Sequence, residues 1–358
     1  MRKYDDVGRT YEDFSKTREN GLLLLDSVIS EFSKESQEAM GNEFKTKNWL
    51  SFMGDKYLYK GSECDKLESA GYAYAELIVE ELAKQVGFSA AFYDLVRFND
   101  EKGILTRDII EKDNQDMHSL CSILHEDEDV QDLDELMENM EEALKRQGVL
   151  PEDIESIRLE FIQRRIFDLF IMATDTHTEN ISLVFEVDEN GQKRARLAPV
   201  FDSESSLCLD HTEGQMELLS RDDVSKYSQV YLDTEIEPTL YYGESWKEQM
   251  GYLASLDGGA EFIALCQERL DIDSAIEKVE TKIDAPIPKN IRDFVRLSFS
   301  NRRASIDNIM EERQVGDEYC SQIGKMSSKV NSKAFVRILR DVFDGMEPKH
   351  EAMIKELE

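Results

Sequence analysis

The stretch that decides the fold has two parts, residues 172–180 and 197–202, which read Met172-Ala-Thr-Asp175-Thr-His177-Thr-Glu-Asn180 and Leu197-Ala-Pro-Val-Phe-Asp202. Carboxylate and amide oxygens are the ligands that Mg²⁺ prefers in proteins. Protein kinases carry a proton-accepting aspartate, a metal-binding asparagine and a metal-binding aspartate in this order along the chain. The pattern therefore indicates phosphoryl transfer. The alternative is structural, with Asp175 and Asp202 as loop or helix caps and Asn180 as a turn residue.

The surrounding sequence predicts a helix before this stretch and a hairpin within it. Between residues 151 and 172, apolar side chains recur every three or four positions, which is typical of a helix with one buried face. Strands are predicted at 181–187 and 194–198. Further helices are predicted at 244–256, 260–270, 274–283, 288–310 and 333–343. This half of the chain should therefore be mainly α, with one embedded hairpin.

The upstream sequence predicts a small lobe of strands around one helix. A hairpin is expected over 49–60 around Gly54-Asp55, which is a strong two-residue turn signal. A helix at 72–86 and strands at 92–98 and 103–109 follow. Before the lobe, an amphipathic helix is predicted over 22–40. After it, the acid-rich segment 111–147 is predicted to be a solvated helical face or an insertion, with a binding surface for a specific basic partner as the alternative.

This lobe offers two residues that a kinase needs. A lysine on an inner strand contacts the nucleotide phosphates, and a glutamate on the next helix holds it. Lys60 ends the hairpin and Glu76 lies in the following helix, although a surface lysine and a solvated acid are the plain alternatives. We predict an ion pair of about 4 Å or less between them in the form that binds nucleotide. As an exposed pair it would add only about 0–1 kcal/mol to stability. The alternative is that another lysine, such as Lys45 or Lys56, approaches the phosphates.

The predicted fold class is α+β, a bilobed protein-kinase-like fold with a small β-rich N-terminal lobe and a larger, mainly α C-terminal lobe. The sequence divides the chain into five segments: an N-terminal extension and helix (1–40), an ATP-binding lobe (41–110), an acidic helical insertion or linker (111–150), a catalytic lobe (151–345) and a charged tail (346–358).

Composition excludes several other classes of protein. The chain has 358 residues, 41% of them hydrophobic, so it can form a sizeable core. Its 43 basic and 76 acidic residues give a net charge of −33, which disfavours direct contact with nucleic acids or anionic membranes. The five cysteines are dispersed and form no metal-binding pairs, which favours a reducing cytoplasm. A secreted effector is the alternative location.

The two-part stretch resembles the signature of HipA-type serine/threonine kinases. In that family Asp-x-His-x-x-Asn is followed by a hairpin and then by Pro-x-Tyr-Asp, and here Phe201 replaces the common tyrosine. The likeness extends, with gaps, over about residues 41–310. In architecture the chain is most similar to the stand-alone, CtkA-like members of the family. Members of this family are best known as toxins of toxin–antitoxin pairs.

The resemblance implies ATP and Mg²⁺ as cofactors and assigns a role to each site residue. Asp175 is the implied catalytic base, and Asn180 and Asp202 are the implied metal ligands. His177 falls on the motif histidine and is interpreted as a residue that braces the loop, with a proton shuttle as the alternative. The ATP contacts would come from Lys60, held by Glu76, from the loop of Lys45, and from a hinge that takes the adenine and consists of Thr106, Arg107, Asp108 and Ile109.

The sequence thus predicts an ATP- and Mg²⁺-dependent serine/threonine protein kinase. Its partners would be a protein substrate and an antitoxin or other regulatory protein, with no direct contact to nucleic acid or membrane. A lipid or small-molecule kinase is one alternative, because phosphoinositide kinases share this arrangement of Asp, Asn and Asp. A pseudokinase that acts through its acidic surface is the other.

Overall fold

The computed structural model describes residues 18–24, 32–34, 47–52, 55–61, 71–98, 100–112, 114–124, 133–209, 211, 213–221, 232 and 245–327. The chain divides into two compact units, Met1–Ser305 and Ile306–Glu358. The N-terminal lobe, and the C-terminal lobe except for the end of its last described helix, lie in the first unit. Among the helices of the described ranges, none is long and apolar enough to cross a membrane.

One mixed sheet and one helix build the N-terminal lobe. The strands are β1 (Arg18–Glu19), β2 (Leu22–Leu24), β3 (Phe32–Lys34), β4 (Lys47–Phe52), β5 (Asp55–Gly61), β6 (Tyr93–Phe98) and β7 (Glu101–Arg107), and the helix is α1 (Gly71–Gln85). The described strands form a seven-stranded sheet in the order β1-β2-β6-β7-β5-β4-β3. The helix predicted at 72–86 is confirmed, and Gly87 follows it with a φ of 93°, as a C-terminal cap requires.

The close approach of β5 and β7 depends on glycine. Gly61 pairs with Gly103, and Lys60 pairs with Ile104. A Cβ atom at Gly103 would lie 2.3 Å from the carbonyl oxygen of Lys60 and 2.7 Å from the ring of Tyr59. No side chain fits there, so the glycine allows β7 to approach β5 closely at Lys60, the lysine predicted to contact ATP.

The prediction of a helix over 22–40 is wrong for the described part of that range. Leu22–Leu24 and Phe32–Lys34 form strands β2 and β3 instead. Strand β2 pairs in parallel with β6, Leu23 opposite Val96, and Leu23 is buried. The apolar residues of this range are compatible with a helix, but tertiary pairing with a strand distant in the sequence outweighs local propensity.

Helices and a second sheet build the C-terminal lobe. The strands are β8 (Gln115–Ser119), β9 (Ser182–Val187) and β10 (Lys193–Leu197), and they pair in the order β10-β9-β8. The helices are α2 (Leu120–Leu124), α3 (Leu133–Arg146), α4 (Pro151–Phe170), α5 (Glu213–Leu219), α6 (Trp246–Leu253), α7 (Gly259–Arg269), α8 (Ile272–Ile283) and α9 (Lys289–Ser327).

Two predictions for this lobe need correction. The segment 111–150 is not only a helical insertion, because Gln115–Ser119 forms the third strand of the sheet and pairs with β9. Its helix α3 is also more than a solvated face, since its apolar side chains, among them Leu136, Met140 and Leu144, are buried. The last described helix continues past residue 310 to Ser327. The helix predicted at 333–343 lies outside the described residues.

The two lobes meet where β10 returns to the N-terminal lobe. The backbone N–H of Ala91 donates to Val200 O at 2.8 Å, and the N–H of Val200 donates to Ser89 O at 2.9 Å. These bonds join the segment between α1 and β6 to the residues that precede Asp202. The end of the hairpin is thereby fixed against the base of the N-terminal lobe.

Candidate active site

Lys60 lies inside the protein at the end of strand β5. Only 8% of the residue is exposed. Its Nζ contacts Oδ1 of Asp202 and lies 4.0 Å from Oε1 of Glu76. Burial alone would lower the pKa of Lys60, but the carboxylates of Asp202, Glu76 and Glu204 outweigh it, so the pKa is raised. Lys60 therefore stays charged.

Glu76 links helix α1 to the loop that carries Asp202. It is 1% exposed, and its Oε2 accepts a hydrogen bond from the backbone N–H of Ser203 at 2.8 Å. Burial raises the pKa of Glu76, while the charge of Lys60 opposes the rise. The Lys60–Glu76 pair was expected to be exposed, and this expectation is wrong. Both side chains are desolvated because helix α1 packs against the sheet, where it contacts β6.

Asp202 adopts a backbone conformation that is uncommon for a residue with a side chain. Its φ is 56°, in the left-handed region that Asp tolerates better than most residues. Its N–H donates to the hydroxyl oxygen of Tyr93 at 2.9 Å. Burial raises the pKa of Tyr93 well above its usual value, and the charges of Glu76 and Asp202 add to the rise. Tyr93 therefore remains a neutral phenol under Asp202.

The loop that carries Asp175 begins where helix α4 ends. Met172 has a φ of 54°, which turns the chain sharply out of the helix. The N–H of Ala173 then donates to Asp168 O at 2.9 Å, and the N–H of Thr174 donates to Ser205 O at 3.0 Å. The second bond connects this loop directly to the loop after Asp202. The two halves of the sequence signature are therefore joined by their backbones.

His177 contacts the carboxylate of Asp175. Its Nε2 lies 3.1 Å from Oδ1 of Asp175, and its Nδ1 accepts a hydrogen bond from the N–H of Glu179 at 3.3 Å. A ring nitrogen that accepts carries no proton, so in the neutral ring the proton is on Nε2, which is the nitrogen close to Asp175. The imidazole therefore orients the carboxylate, and both side chains are largely exposed.

A buried arginine of helix α4 forms a hydrogen bond to the same loop. Arg165, 1% exposed, donates from Nη1 to Asp168 Oδ2 at 2.9 Å and from Nη2 to Thr176 Oγ1 at 3.3 Å. Arg164 donates to the other oxygen of Asp168 at 3.0 Å. Sequence reasoning missed this contact. Its signal was a charged side chain on the apolar face of a helix, where an unpaired charge would be costly.

The structure brings Asp175, Asn180 and Asp202 together. All three line one pocket, whose wall also includes Arg164 and Asp168. Because Lys60 and Glu76 contact the Asp202 loop, five of the predicted residues form one connected group. His177 joins it through Asp175.

The oxygen atoms in this group suit a divalent metal ion. Within the described ranges, one carboxylate oxygen each of Glu76, Asp202 and Glu204 lie within 4.8 Å of one another. Oε1 of Glu76 is buried and has no hydrogen-bond partner among the described residues. The amide nitrogen of Asn180 donates to Asp175 O at 2.8 Å, so its amide oxygen is left for a ligand. An all-oxygen donor set fits Mg²⁺. Glu204 was not predicted from the sequence.

The remaining residues predicted to contact ATP lie outside the group around Asp202. Strand β7 ends at Arg107, and the N–H of Asp108 donates to Lys56 O at 2.9 Å. Oδ1 of Asp108 accepts from the N–H of Ile110 at 3.0 Å. Thr106, Arg107, Asp108 and Ile109 are partly exposed and are not among the residues that line the pocket of Asp175. Lys45 lies outside the described residues.

Comparisons with known proteins agree on the family signature and the fold. The family described as "HipA-like C-terminal domain" matches residues 44–268. No curated protein matches the chain. The proinflammatory kinase CtkA of Helicobacter pylori is a similar solved structure, with a TM-score of 0.62 and 13% identity over 80% of this chain and 96% of that chain. This similarity confirms the predicted protein-kinase-like fold.

A second solved structure belongs to a toxin–antitoxin system. It is HipA of Shewanella oneidensis MR-1, in complex with HipB and operator DNA. It matches with a TM-score of 0.46 and 14% identity over 81% of this chain and 72% of that chain.

Proposed function

Because the chain belongs to the HipA-like C-terminal domain family, we propose that it is an ATP- and Mg²⁺-dependent serine/threonine protein kinase. The family and the protein-kinase-like fold support a phosphotransferase. One observation carries the proposal further. Asp175, Asn180 and Asp202 line a single pocket, and Lys60 contacts Asp202 at its edge.

Asp175 takes the role of the base. Its side chain is 48% exposed, so a hydroxyl on a large substrate can approach it. The hydroxyl proton passes to Asp175 as the oxygen bonds to the transferred phosphorus, and the bond from that phosphorus to its leaving oxygen breaks. His177 Nε2 lies 3.1 Å from Asp175 Oδ1, and this contact keeps the carboxylate oriented.

Asn180 and Asp202 take the role of metal ligands, and Glu204 offers a carboxylate oxygen close to that of Asp202. When bound, Mg²⁺ supplies positive charge that neutralises the phosphate oxygens during transfer. Lys60 adds a second positive charge beside Asp202, and Glu76 holds it in place. These residues position and stabilise, which is what phosphoryl transfer chiefly requires of a protein.

Three further parts of the proposal concern the substrate, a partner and the location. A protein substrate fits the open position of Asp175, and the net charge of −33 disfavours an anionic membrane as the site of the substrate. A regulatory protein partner, such as an antitoxin, follows from the family resemblance. A cytoplasmic location follows from the dispersed cysteines.

Phosphoproteomics tests the proposal and needs no candidate substrate. The wild-type chain and Asp202→Ala would be expressed in parallel, and the purified proteins incubated with γ-labelled ATP and Mg²⁺. We expect new phosphoserine or phosphothreonine sites with the wild type alone. Label confined to lipids or small metabolites would support the lipid or small-molecule kinase instead. Nucleotide binding without transfer to any acceptor would support a pseudokinase.

A further inference from the structure

Helix α1 carries two buried glutamates on one face. Glu76 and Glu80 are four residues apart, so they lie one turn from each other. Glu76 contacts the active-site group described above. Glu80, 3% exposed, is bonded to residues of its own helix and of other elements, and one of these partners comes from the C-terminal lobe.

Lys282 of helix α8 is the partner of Glu80 in that lobe. Its Nζ donates to Glu80 Oε2 at 2.7 Å and lies 4.4 Å from the centre of the Phe92 ring. The Lys282 side chain is 11% exposed, so water screens this pair poorly. A desolvated ion pair of good geometry holds its two elements at a fixed distance, because moving them apart leaves a buried charge without its partner.

Glu80 also fixes the strand that supports Asp202. The N–H of Tyr93 donates to Glu80 Oε2 at 3.2 Å, and the hydroxyl of the same tyrosine accepts from the N–H of Asp202 at 2.9 Å. Lys282 is therefore connected to the active site by two short routes. One runs through Tyr93 to Asp202, and the other through one turn of α1 to Glu76.

We propose that Lys282 is a positioning residue for phosphoryl transfer. Through Glu80 it holds α1 where Glu76 reaches Lys60 and the N–H of Ser203. In protein kinases the corresponding lysine–glutamate pair depends on the position of its helix, and control of that helix is a common means of regulation. Here a helix of the C-terminal lobe sets that position by a direct ion pair. The link to catalysis rests on the proposed function, whereas the link to geometry does not.

The chain offers a matched control on the same two helices. Lys278 lies one turn before Lys282, and its Nζ is 3.7 Å from Glu81 Oε2, but its side chain is 52% exposed. Lys278→Met removes the same charge between α8 and α1 without touching the buried pair. Lys84 Nζ, at 2.7 Å from Glu80 Oε1, still compensates the charge of Glu80 in Lys282→Met. The variant should therefore fold.

Hydrogen exchange measures the geometry without relying on activity. The N–H groups of Ser203 and Tyr93 both donate to glutamates of α1, so they report its position. In Lys282→Met we expect both to exchange at least about tenfold faster than in the wild type, as local opening becomes easier. Lys278→Met should exchange as the wild type does, and Lys282→Arg should restore most of the protection.

Calorimetric titration with Mg·ATP then links the geometry to function. We expect the Kd to rise about tenfold in Lys282→Met, with recovery in Lys282→Arg. Glu80→Gln, which keeps an acceptor for Tyr93, should act in the same direction and replaces Lys282→Met if that variant fails to fold. If Ser203 exchanges faster in Lys282→Met but the wild type binds no ATP, the geometric inference is supported and the proposed function is refuted. Unchanged exchange in Lys282→Met, or an equal effect of Lys278→Met, would overturn the inference.

Discussion

The two halves of the candidate site differ in their contact with water. Lys60 and Glu76 are 8% and 1% exposed, whereas the side chains of Asp175 and His177 are 48% and 41% exposed. The first half consists of charges from three elements that are packed against one another. The second is a surface loop held by its own backbone bonds and by Arg165 below it.

This difference separates two kinds of functional residue. A buried charge is part of the folding balance, because its removal leaves its partners desolvated and uncompensated. An exposed charge is surrounded by water and adds little to stability. Substitutions in the buried half should therefore affect stability and activity together, whereas those in the exposed half should affect activity alone.

The largest effect is expected from Lys60→Met. It leaves Glu76 and Asp202 without their shared cation, so activity should be lost and the free energy of unfolding should fall by about 3–5 kcal/mol. Urea denaturation and a phosphoryl-transfer assay measure the two effects. The control is Lys56→Met, an exposed lysine on the same strand. An unchanged denaturation midpoint for Lys60→Met would show that the buried half is not coupled to folding.

The next largest effect is expected from Asp202→Ala, which removes a proposed metal ligand. The Kd for Mg·ATP should rise by at least about 10–100-fold. Losses of this size are typical even when a residue that only supports a metal ligand is removed. Calorimetric titration in the presence of Mg²⁺, and again after chelation with EDTA, measures it. We expect the two conditions to differ for the wild type and to agree for the variant. Wild-type affinity in Asp202→Ala would remove this residue from the site.

A loss of activity alone is expected from Asp175→Asn. The substitution keeps the size of the side chain and removes the proton acceptor, so kcat should fall by about 10²–10⁴ while the Kd for nucleotide and the stability stay at wild-type values. Glu179→Gln removes the same charge from a more exposed position of the loop and should leave kcat unchanged. Transfer by Asp175→Asn at the wild-type rate would argue for another base.

The smallest effect is expected from His177→Ala, which removes the contact of Nε2 with Asp175 Oδ1. The loss of one polar contact to a charged group should correspond to about a tenfold lower kcat, with no change in the melting temperature. Steady-state rates at saturating nucleotide measure it. If His177→Ala lowers kcat as far as Asp175→Asn does, His177 has a direct part in proton transfer rather than a bracing one.

The sequence determined most of the element order. The period of the apolar residues predicted α4, and a turn signal between aromatic runs predicted the hairpin of β4 and β5. The spacing of Asp175, Asn180 and Asp202 selected the residues that the structure places around one pocket. These features were readable because helix period, turn chemistry and motif spacing are local properties of the chain.

The tertiary structure decided pairing, burial and the supporting contacts. Strand β2 was mistaken for a helix because only its pairing with Val96 makes Leu23 a strand residue. The Lys60–Glu76 pair was expected to be exposed because the burial of Lys60 depends on Asp202, 142 residues away in the chain. Arg165, Tyr93 and Lys282 gave no motif at all. Their roles arise from partners on other elements, and a linear sequence does not record which distant side chains packing will bring within hydrogen-bond distance.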